Sequence, residues 1–443
     1  MAARAWSKVL AVPSMCCPGV CSMPHISPKI RILVIATNKW PSIGQLVSAL
    51  IKVGFEIAVV CPSGSPIKHI RNLNARYKYT SWHSLASIKA AIADWSPFVL
   101  VCNDDVAIRE LHRIYSQACI ETDRPESSSL IELIESSLGD CRSFAISRSK
   151  SRLISAAQEL KILCPPTNVV NSYQDIDRQL GRIVYPVLIK LDESWGGLGV
   201  RLAHNQRELL RATLELSFPH NWHWSLKRLA AQVIQHLPNR WRLPFPQNIN
   251  IQSYVLGRPA NRAVVCWNGR ILAGISVEAL ETRSQFGSTT LAKILDHAEL
   301  AEAAEKIVAS QKLSGFLGFD FMLDHANRAW LLEMNPRATP TCHLRFKAPS
   351  LPSSLFLAVT GEQPNSDIRE VSQDTIALFP NRVSQQSLHP YFDDVPDEEP
   401  KFIHACRRLG SLRKILGKRN RGTLSENLNQ KIVNKLQSWE DAF

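Results

Sequence analysis

The segment from Gly315 to His343, GFLGFDFMLDHANRAWLLEMNPRATPTCH, decides the fold because it predicts two β-strands joined by a tight turn. Phe316–Leu323 and Ala329–Asn335 are apolar runs rich in β-forming residues. The polar residues 324–328 between them are typical of a turn. We therefore predict an antiparallel hairpin with side chains that alternate between two faces.

A hairpin that is symmetrical about its turn has a definite register. It places Asp320 opposite Glu333, and by the same symmetry the apolar pairs Phe321/Leu332 and Leu323/Trp330. Two carboxylates directly opposite each other repel, so in a half-buried sheet they require a raised pKa or a cationic partner. A divalent cation is the natural partner.

The ligand chemistry favours magnesium over zinc. Asp320, Glu333 and the carbonyl of Asn335 form an all-oxygen set, which suits Mg²⁺ with phosphate oxygens completing its shell. Arg337 follows after a single proline, Pro336, and could meet an oxyanion. The alternative from these residues alone is an edge hairpin whose acids face water.

The runs GFDFM and LLEMNPR in this hairpin resemble the C-terminal metal-binding strands of the ATP-grasp superfamily. That superfamily includes biotin carboxylase, carbamoyl-phosphate synthetase and many carboxylate–amine ligases. The resemblance implies that Asp320, Glu333 and Asn335 hold the Mg²⁺ ions of Mg-ATP. It also implies that Arg337 contacts the reacting phosphate or substrate.

Two lysines match the nucleotide-binding lysines of this superfamily. Lys150 lies in SRSKSRLISAAQELKILCPPT, which resembles the entry into the ATP-binding domain. Lys190 ends the strand YPVLIK and precedes a glycine-rich loop whose backbone N–H groups could hold phosphate. The glycines of that loop are Gly196, Gly197 and Gly199. Taken alone, a lysine at a helix start is usually solvated and any glycine-rich turn looks similar.

Further contacts are implied by the resemblance. Asn250–Val255 matches the adenine-binding strand, with Gln252 near the base and backbone groups at Tyr254 and Val255 on its edge. Glu278 is assigned to the nucleotide site. Arg283 could hold a substrate carboxylate with two hydrogen bonds, or be a surface loop residue. His343 could touch substrate or cap the next segment.

The N-terminal part predicts a parallel sheet. Three short apolar strands (30–36, 56–60 and 98–102) alternate with helical segments. No G-x-G-x-x-G follows the first strand, so a dinucleotide site is not supported. Asn103, Asp104 and Asp105 follow the third strand, where open α/β sheets bind ligands, although they could equally cap a helix.

We predict a mixed α/β and α+β protein with four regions. A leader (1–28) precedes an N-terminal parallel α/β domain (29–140). A two-lobed ATP-grasp domain (141–365) follows, and a C-terminal extension with a basic tail (366–443) ends the chain. Within these we predict one long helix over Leu291–Leu313. The Trp-rich basic segment 205–250 is a lid, a specificity insertion, an oligomer contact or a membrane-surface element.

Composition limits the class of protein. The chain has 443 residues, 45% hydrophobic and 21% charged, which is ordinary for globular domains. No apolar run approaches the roughly 20 residues that span a bilayer. The 11 cysteines are scattered without a repeated C-x-x-C, so we expect reduced thiols and a cytoplasmic protein. The leader only loosely resembles a signal peptide.

Together these features predict a ligase. Mg-ATP would phosphorylate a substrate carboxylate, and an amine or similar nucleophile would displace phosphate; Mn²⁺ is the alternative cation. Both substrates would be small molecules, and a homodimer is common in the superfamily. Two other classes remain open: an ATP-binding regulatory or scaffold protein, and, because the net charge is +13, a basic nucleic-acid-associated protein. No nucleic-acid-binding motif accompanies that charge, so we expect no nucleic acid partner. A biotin-carboxylase-like reaction is disfavoured, because no segment of the sequence resembles a biotin carrier.

Overall fold

The computed structural model describes residues 30–192, 199–217, 249–284, 287–364, 366–381, 383 and 390–422, with the side chains of the last helix described as far as residue 411. The leader, residues 193–198 of the glycine-rich loop, and residues 218–248 of the Trp-rich segment 205–250 therefore lie outside the described residues.

The N-terminal unit is a four-stranded parallel sheet in the order β3-β2-β1-β4. Its strands are β1 (Arg31–Ile35), β2 (Glu56–Cys61), β3 (Ala75–Lys78) and β4 (Val99–Cys102). The helices are α1 (Gly44–Lys52), α2 (Ser84–Trp95), α3 (Asp105–Ile120) and α4 (Pro125–Leu138). The three strands predicted from the sequence are confirmed, and β3 is an additional short edge strand.

A short helical segment leads into a second four-stranded sheet, which is called the small sheet below. Its helices are α5 (Phe144–Arg148), α6 (Lys150–Glu159), α7 (Tyr173–Gln179) and α8 (Gln206–Ser217). The antiparallel sheet has the order β5-β8-β6-β7. Its strands are β5 (Thr167–Val170), β6 (Val187–Leu191), β7 (Val200–Ala203) and β8 (Ile249–Ser253).

The third sheet has seven strands in the order β13-β12-β9-β10-β11-β14-β15. Its strands are β9 (Arg258–Trp267), β10 (Arg270–Thr282), β11 (Thr289–Leu295), β12 (Gly315–Leu323), β13 (Ala329–Asn335), β14 (Thr375–Ala377) and β15 (Phe392–Asp393). The remaining helices are α9 (Ala298–Gln311), α10 (Leu351–Thr360) and α11 (Pro400–Gly422). The mixed α/β and α+β class is confirmed.

The prediction of one helix over Leu291–Leu313 is wrong for its first part. Residues up to Leu295 form β11, which pairs with β10 on one side and with β14 on the other. The spacing of the apolar residues in this stretch is compatible both with one face of a helix and with a buried strand. Insertion between two strands decided the outcome, and the helix begins only at Ala298.

The C-terminal extension is integrated into the rest of the molecule. Its strand β14 joins the seven-stranded sheet beyond the proposed boundary at 365, and α11 packs on the N-terminal unit. The ring of Phe402 fills the space above Gly44, where an added Cβ would lie 2.1 Å from it. One apolar core runs from Ile32 and Val34 of the N-terminal sheet to Ala263 and Val265 of the large sheet. The four-region division remains a proposal.

Candidate active site between the sheets

A β-bulge in the central hairpin brings Asp320 and Glu333 together. Between the turn and the pair Phe321/Leu331, each residue of β12 pairs one position away from the predicted partner on β13. Leu332 has no partner on β12 and is the additional residue of the bulge. The predicted pairs Phe321/Leu332 and Leu323/Trp330 are therefore wrong, whereas Asp320 does oppose Glu333. A one-residue slip exchanges the two faces of a strand. The bulge thus lets Leu331 remain in the core while Glu333 faces Asp320.

Asp320 is held by two amide side chains. Asn261 of β9 donates to Oδ1 at 2.7 Å, and Asn335 of β13 donates to Oδ2 at 2.8 Å. Burial and the charge of Glu333 raise the pKa of Asp320 to about 6, although both amide hydrogen bonds oppose this. The pair therefore has the unfavourable electrostatics that a divalent cation would relieve.

Lys150 and Lys190 lie beside this pair. Lys150 Nζ is 3.6 Å from Glu333 Oε2 and donates to the backbone carbonyls of Leu191 and Asp192. Burial, together with the charge of Lys150, lowers the pKa of Lys190 to about 8, although the charges of Glu333 and Asp320 oppose this shift. Although burial raises the pKa of Glu333, these two cations hold it below its ordinary value. The site therefore brings together buried or half-buried charges of both signs.

Asp192 fixes the position of Lys150. Its carboxylate accepts hydrogen bonds from Ser149 Oγ at 2.8 Å, from the Lys150 N–H at 3.0 Å and from Asn250 Nδ2 at 2.6 Å. Ser149 is itself the N-cap of α6, where its side chain accepts a hydrogen bond from the Arg152 N–H. The small sheet and α6 are thereby joined at one buried carboxylate.

Arg337 connects the hairpin to the N-terminal unit. Its Nε lies 2.9 Å from Asp105 Oδ2, and one of its terminal nitrogens donates to Asn335 Oδ1 at 3.2 Å. The next residue, Ala338, donates its N–H to the carbonyl of Cys102 at the end of β4. Asp104 caps α3 and also accepts from Thr37, so it is one of the helix caps that the sequence allowed.

A cleft opens next to these groups; its volume is about 770 Å³ when the solvent space at its mouth is included. Its walls are the first turns of α3, the junction of α5 and α6, and residues 333–336 at the end of β13. The cleft thus lies at the carboxyl edge of the parallel sheet, where open α/β sheets bind ligands.

The segment that the sequence predicts to bind adenine includes most of β8 and the link from β8 to β9. Gln252 is buried, donates to Thr167 Oγ1 at 3.0 Å, and has no hydrogen-bond partner for Oε1 among the described residues. The strand ends at Ser253, so Tyr254 and Val255 belong to the link between β8 and β9. The Tyr254 N–H already donates to the Pro186 carbonyl at 3.2 Å. The role of these residues in nucleotide binding stays a prediction.

Three assigned residues lie elsewhere. Val277 of β10 pairs with Asn261, and Glu278 is the next residue, so its side chain lies on the opposite face of the strand. Glu278 forms an ion pair with Arg258 at 2.8 Å. Arg283 is exposed in the loop between β10 and β11 and does not line the cleft. His343 contacts Asp394 at 3.0 Å. The geometry therefore does not bring Glu278, Arg283 or His343 to the carboxylate pair.

The glycine-rich loop is described only at its end. Gly196 and Gly197 lie outside the described residues, whereas the Gly199 carbonyl accepts from the Leu191 N–H at 3.0 Å. The loop therefore starts and ends beside Lys190, which pairs with Val200 across the β6–β7 hairpin.

Sequence reasoning missed several residues of the site. Asn261, Asn250 and Asp192 bind site residues but lie on strands, or next to strands, that only the fold brings near the hairpin. Polar residues inside apolar strand runs, such as Asn250 in INIQSYV, were the available signal. Within the described part of the chain, no group of three or more His, Cys, Asp and Glu side chains is arranged to hold a metal. A cation here would need Asn335 and ligand oxygens besides the two carboxylates.

Comparison with known proteins supports the fold. No family model matches the chain. A carbamoyl phosphate synthase arginine-specific large chain from Cutaneotrichosporon cutaneum is 24% identical over 284 residues, which are 62% of this chain. The chain spans only 22% of the length of that relative.

Two solved structures are similar over most of their length. N5-carboxyaminoimidazole synthetase from Staphylococcus aureus, complexed with ADP, has a TM-score of 0.52 at 14% identity, covering 78% of this chain and 80% of its own. The biotin carboxylase domain of 2-oxoglutarate carboxylase from Hydrogenobacter thermophilus has a TM-score of 0.53 at 14% identity, covering 76% and 71%. At this level of sequence identity, both similarities establish a shared fold and nothing more. The chain therefore has the ATP-grasp fold, as the hairpin motifs implied.

In the described part of the chain, no helix is both long enough and apolar enough to cross a membrane.

Proposed function

We propose that this chain is an ATP-dependent ligase that activates a substrate carboxylate as an acyl phosphate and transfers the acyl group to an amine or similar nucleophile. The observation that carries this proposal is the convergence of Asp320, Glu333, Lys150 and Lys190 on one point next to a cleft. Paired carboxylates with lysines are the groups that phosphoryl transfer from Mg-ATP requires.

The residues present fit a Mg²⁺ ion. Asp320 and Glu333 oppose each other and the pKa of Asp320 is raised, so the pair favours an added positive charge. Asn335 supplies an amide oxygen, and the set contains only oxygen donors. When bound, the ion would neutralise charge on the phosphates. Mn²⁺ prefers similar ligands and is the alternative.

The remaining groups divide the work of phosphoryl transfer. Lys150 and Lys190 would contact the phosphates, with Lys190 held rigidly in β6 by burial. Arg337 would stabilise the acyl phosphate from its position against Asn335. Gln252, with an unpaired buried acceptor, would face the exocyclic amine of adenine. The proposed chemistry depends on positioning and electrostatics and needs no protein nucleophile.

The ligands bound in the two similar structures support this proposal. One similar structure contains ADP, and another contains MgADP, ADP and bicarbonate. The second is a dimer, which supports a homodimer here as a proposal. Eight described cysteines are free, which supports the proposal of a reducing, cytoplasmic location.

The test measures ADP, AMP, phosphate and pyrophosphate release from Mg-ATP with pooled carboxylates and amines. The proposal predicts ADP and phosphate release that depends on one carboxylate and is stimulated by one amine. With a carboxylate labelled with ¹⁸O, one labelled oxygen should appear in the released phosphate, because the acyl phosphate retains it. Release of AMP and pyrophosphate, or unlabelled phosphate, would contradict the proposal.

A further inference from the structure

Gln252 of β8 is a buried amide that uses only one of its two ends. The residue is 2% exposed, and its Nε2 donates to Thr167 Oγ1 at 3.0 Å. Its Oε1 has no hydrogen-bond partner among the described residues. A buried acceptor without a donor costs free energy, so this oxygen marks a place where a donor group of a ligand would fit.

A chain of hydrogen bonds fixes which end of this amide is free. The Thr167 hydroxyl donates its proton to the Pro165 carbonyl at 2.9 Å, because a carbonyl oxygen can only accept. The threonine oxygen is then left as an acceptor, so Gln252 must turn its NH₂ group toward it. The reversed amide would set two oxygens against each other without a proton between them. Gln252 therefore presents an acceptor, and not a donor, on its free side.

The same face of the small sheet carries Lys190. Lys190 of β6 pairs directly with Asn250, and Gln252 lies two residues further along β8, so the three side chains share one face. The charges of Glu333 and Asp320 oppose the lowering of the Lys190 pKa, so this face is turned toward the carboxylate pair. A nucleotide whose phosphates meet Lys190 would therefore have its base on the face that carries Gln252.

We propose that Thr167 determines the base specificity of the nucleotide site by fixing the amide of Gln252. A base with an exocyclic amine at position 6, as in adenine, would donate to the free Oε1. A base with a carbonyl there, as in hypoxanthine or guanine, would set a second acceptor against it, and two buried acceptors without a donor are unfavourable. The inference rests on the proposed ligase function, since it needs a nucleotide at this face. Thr167 is a positioning residue, because it acts on the base through Gln252.

The test measures the binding of Mg-ADP and Mg-IDP to the full chain by calorimetry. The two nucleotides differ only in the base, so the ratio of their dissociation constants cancels any change in the contacts with the ribose, the phosphates and the metal. We expect the wild type to bind ADP at least about tenfold more tightly than IDP. In Thr167→Val the hydroxyl is lost and the Gln252 amide can turn its NH₂ group to the carbonyl of the base. The preference for ADP should therefore fall roughly tenfold.

Three further variants isolate the hydroxyl as the cause. Thr167→Ala also removes the hydroxyl and leaves no group in its place, so it should show the same reduced preference as Thr167→Val. Thr167→Ser keeps the hydroxyl and should keep the wild-type preference. Thr80→Val makes the matched substitution in the N-terminal unit, two residues after β3, and should also keep it.

The possible failures are distinguishable. If the wild type binds ADP and IDP equally, or if Thr167→Val and Thr167→Ala keep the wild-type preference, the inference is overturned and the ligase proposal stands on ADP binding. Loss of the preference in Thr167→Ser or in Thr80→Val would also overturn it, because the Thr167 hydroxyl would not be the cause. If neither nucleotide binds the wild type, the ligase proposal fails, and the inference fails with it.

Discussion

Arg337 and Asp105 join the two halves of the molecule, with 2.9 Å between the guanidinium Nε and the carboxylate Oδ2. These residues are 232 positions apart in the chain, and each belongs to a different sheet unit. Arg337 follows β13, which carries two of the proposed metal ligands, whereas Asp105 begins the helix after β4. The contact means that the N-terminal unit helps to orient the arginine proposed to stabilise the reacting group.

We predict that Asp105→Asn lowers the catalytic rate roughly tenfold, because it removes a charged hydrogen bond that holds Arg337. Nucleotide affinity should change little, since Asp105 is not among the groups assigned to the phosphates. Steady-state kinetics and Mg-ADP titration measure the two effects separately. The exposed Asp123→Asn is the matched control. Equal rates for Asp105→Asn and wild type would show that Arg337 needs no orientation from the N-terminal unit.

Gly318 allows the chain after Arg337 to approach the hairpin. A Cβ at this position would lie 2.3 Å from Thr339 Cγ2, and 3.4 Å from Thr339 Cβ and Oγ1. We predict that Gly318→Ala displaces the segment that carries Arg337, costs about 1–3 kcal/mol of stability and lowers activity. The double variant Gly318→Ala/Thr339→Ser removes the clashing methyl group and keeps the hydroxyl, so it should recover most of both. Failure of the second substitution to restore activity would exclude this contact as the cause.

Much of this site could be predicted from local pattern. The strands of the hairpin and the opposition of Asp320 and Glu333 follow from alternation and a turn. The bulge at Leu332 could not be predicted, because Leu331 and Leu332 are both apolar and either can be the buried residue. The partners Asp105, Asn261 and Asp192 depend on how separate strands are brought together, and no local period encodes that. Likewise, the apolar residues before Ala298 fit the spacing of a helix and that of a buried strand. Pairing with β10 and β14 makes this stretch a strand.

We expect Lys190 to destabilise the folded chain while contributing to Mg-ATP binding. Its pKa is lowered from 10.5 to about 8, mainly by burial, so at neutral pH the folded chain bears the cost of a buried cation. We predict that Lys190→Met raises the thermal midpoint by a few degrees at pH 7, because the cost disappears, and greatly weakens Mg-ATP binding. Lys306→Met, on the surface of α9, is the control and should change neither property. A destabilised Lys190→Met chain would contradict the electrostatic reasoning.

His112 should make stability depend on pH. It is buried and stacks on Phe144 with ring centroids 4.0 Å apart, and burial lowers its pKa from 6.5 to about 4. Between these two values the unfolded chain binds more protons, so the stability present above pH 6.5 is lost as the pH falls toward 4. The loss attributable to this residue is at most about 3 kcal/mol.

Urea unfolding at pH 7 and pH 5 measures this effect. Replacing the ring by a hydrocarbon in His112→Leu should reduce the difference in unfolding free energy between the two pH values. The exposed His83→Gln should leave that difference as it is in the wild type. An unchanged difference in the His112→Leu chain would show that another group causes the acid sensitivity.

The most direct test of the central claim compares two acids of the same hairpin. Glu333 faces Asp320 at the proposed metal site, whereas Asp324 lies in the turn and is paired with Arg328. The measurement is the binding of ATP to the full chain as a function of Mg²⁺ concentration, for wild type, Glu333→Gln and Asp324→Asn. We predict Mg²⁺-dependent binding in the wild type and in Asp324→Asn, and a loss of about a hundredfold in Glu333→Gln. Mg²⁺-dependent binding of equal strength in all three chains would contradict the assignment of the site.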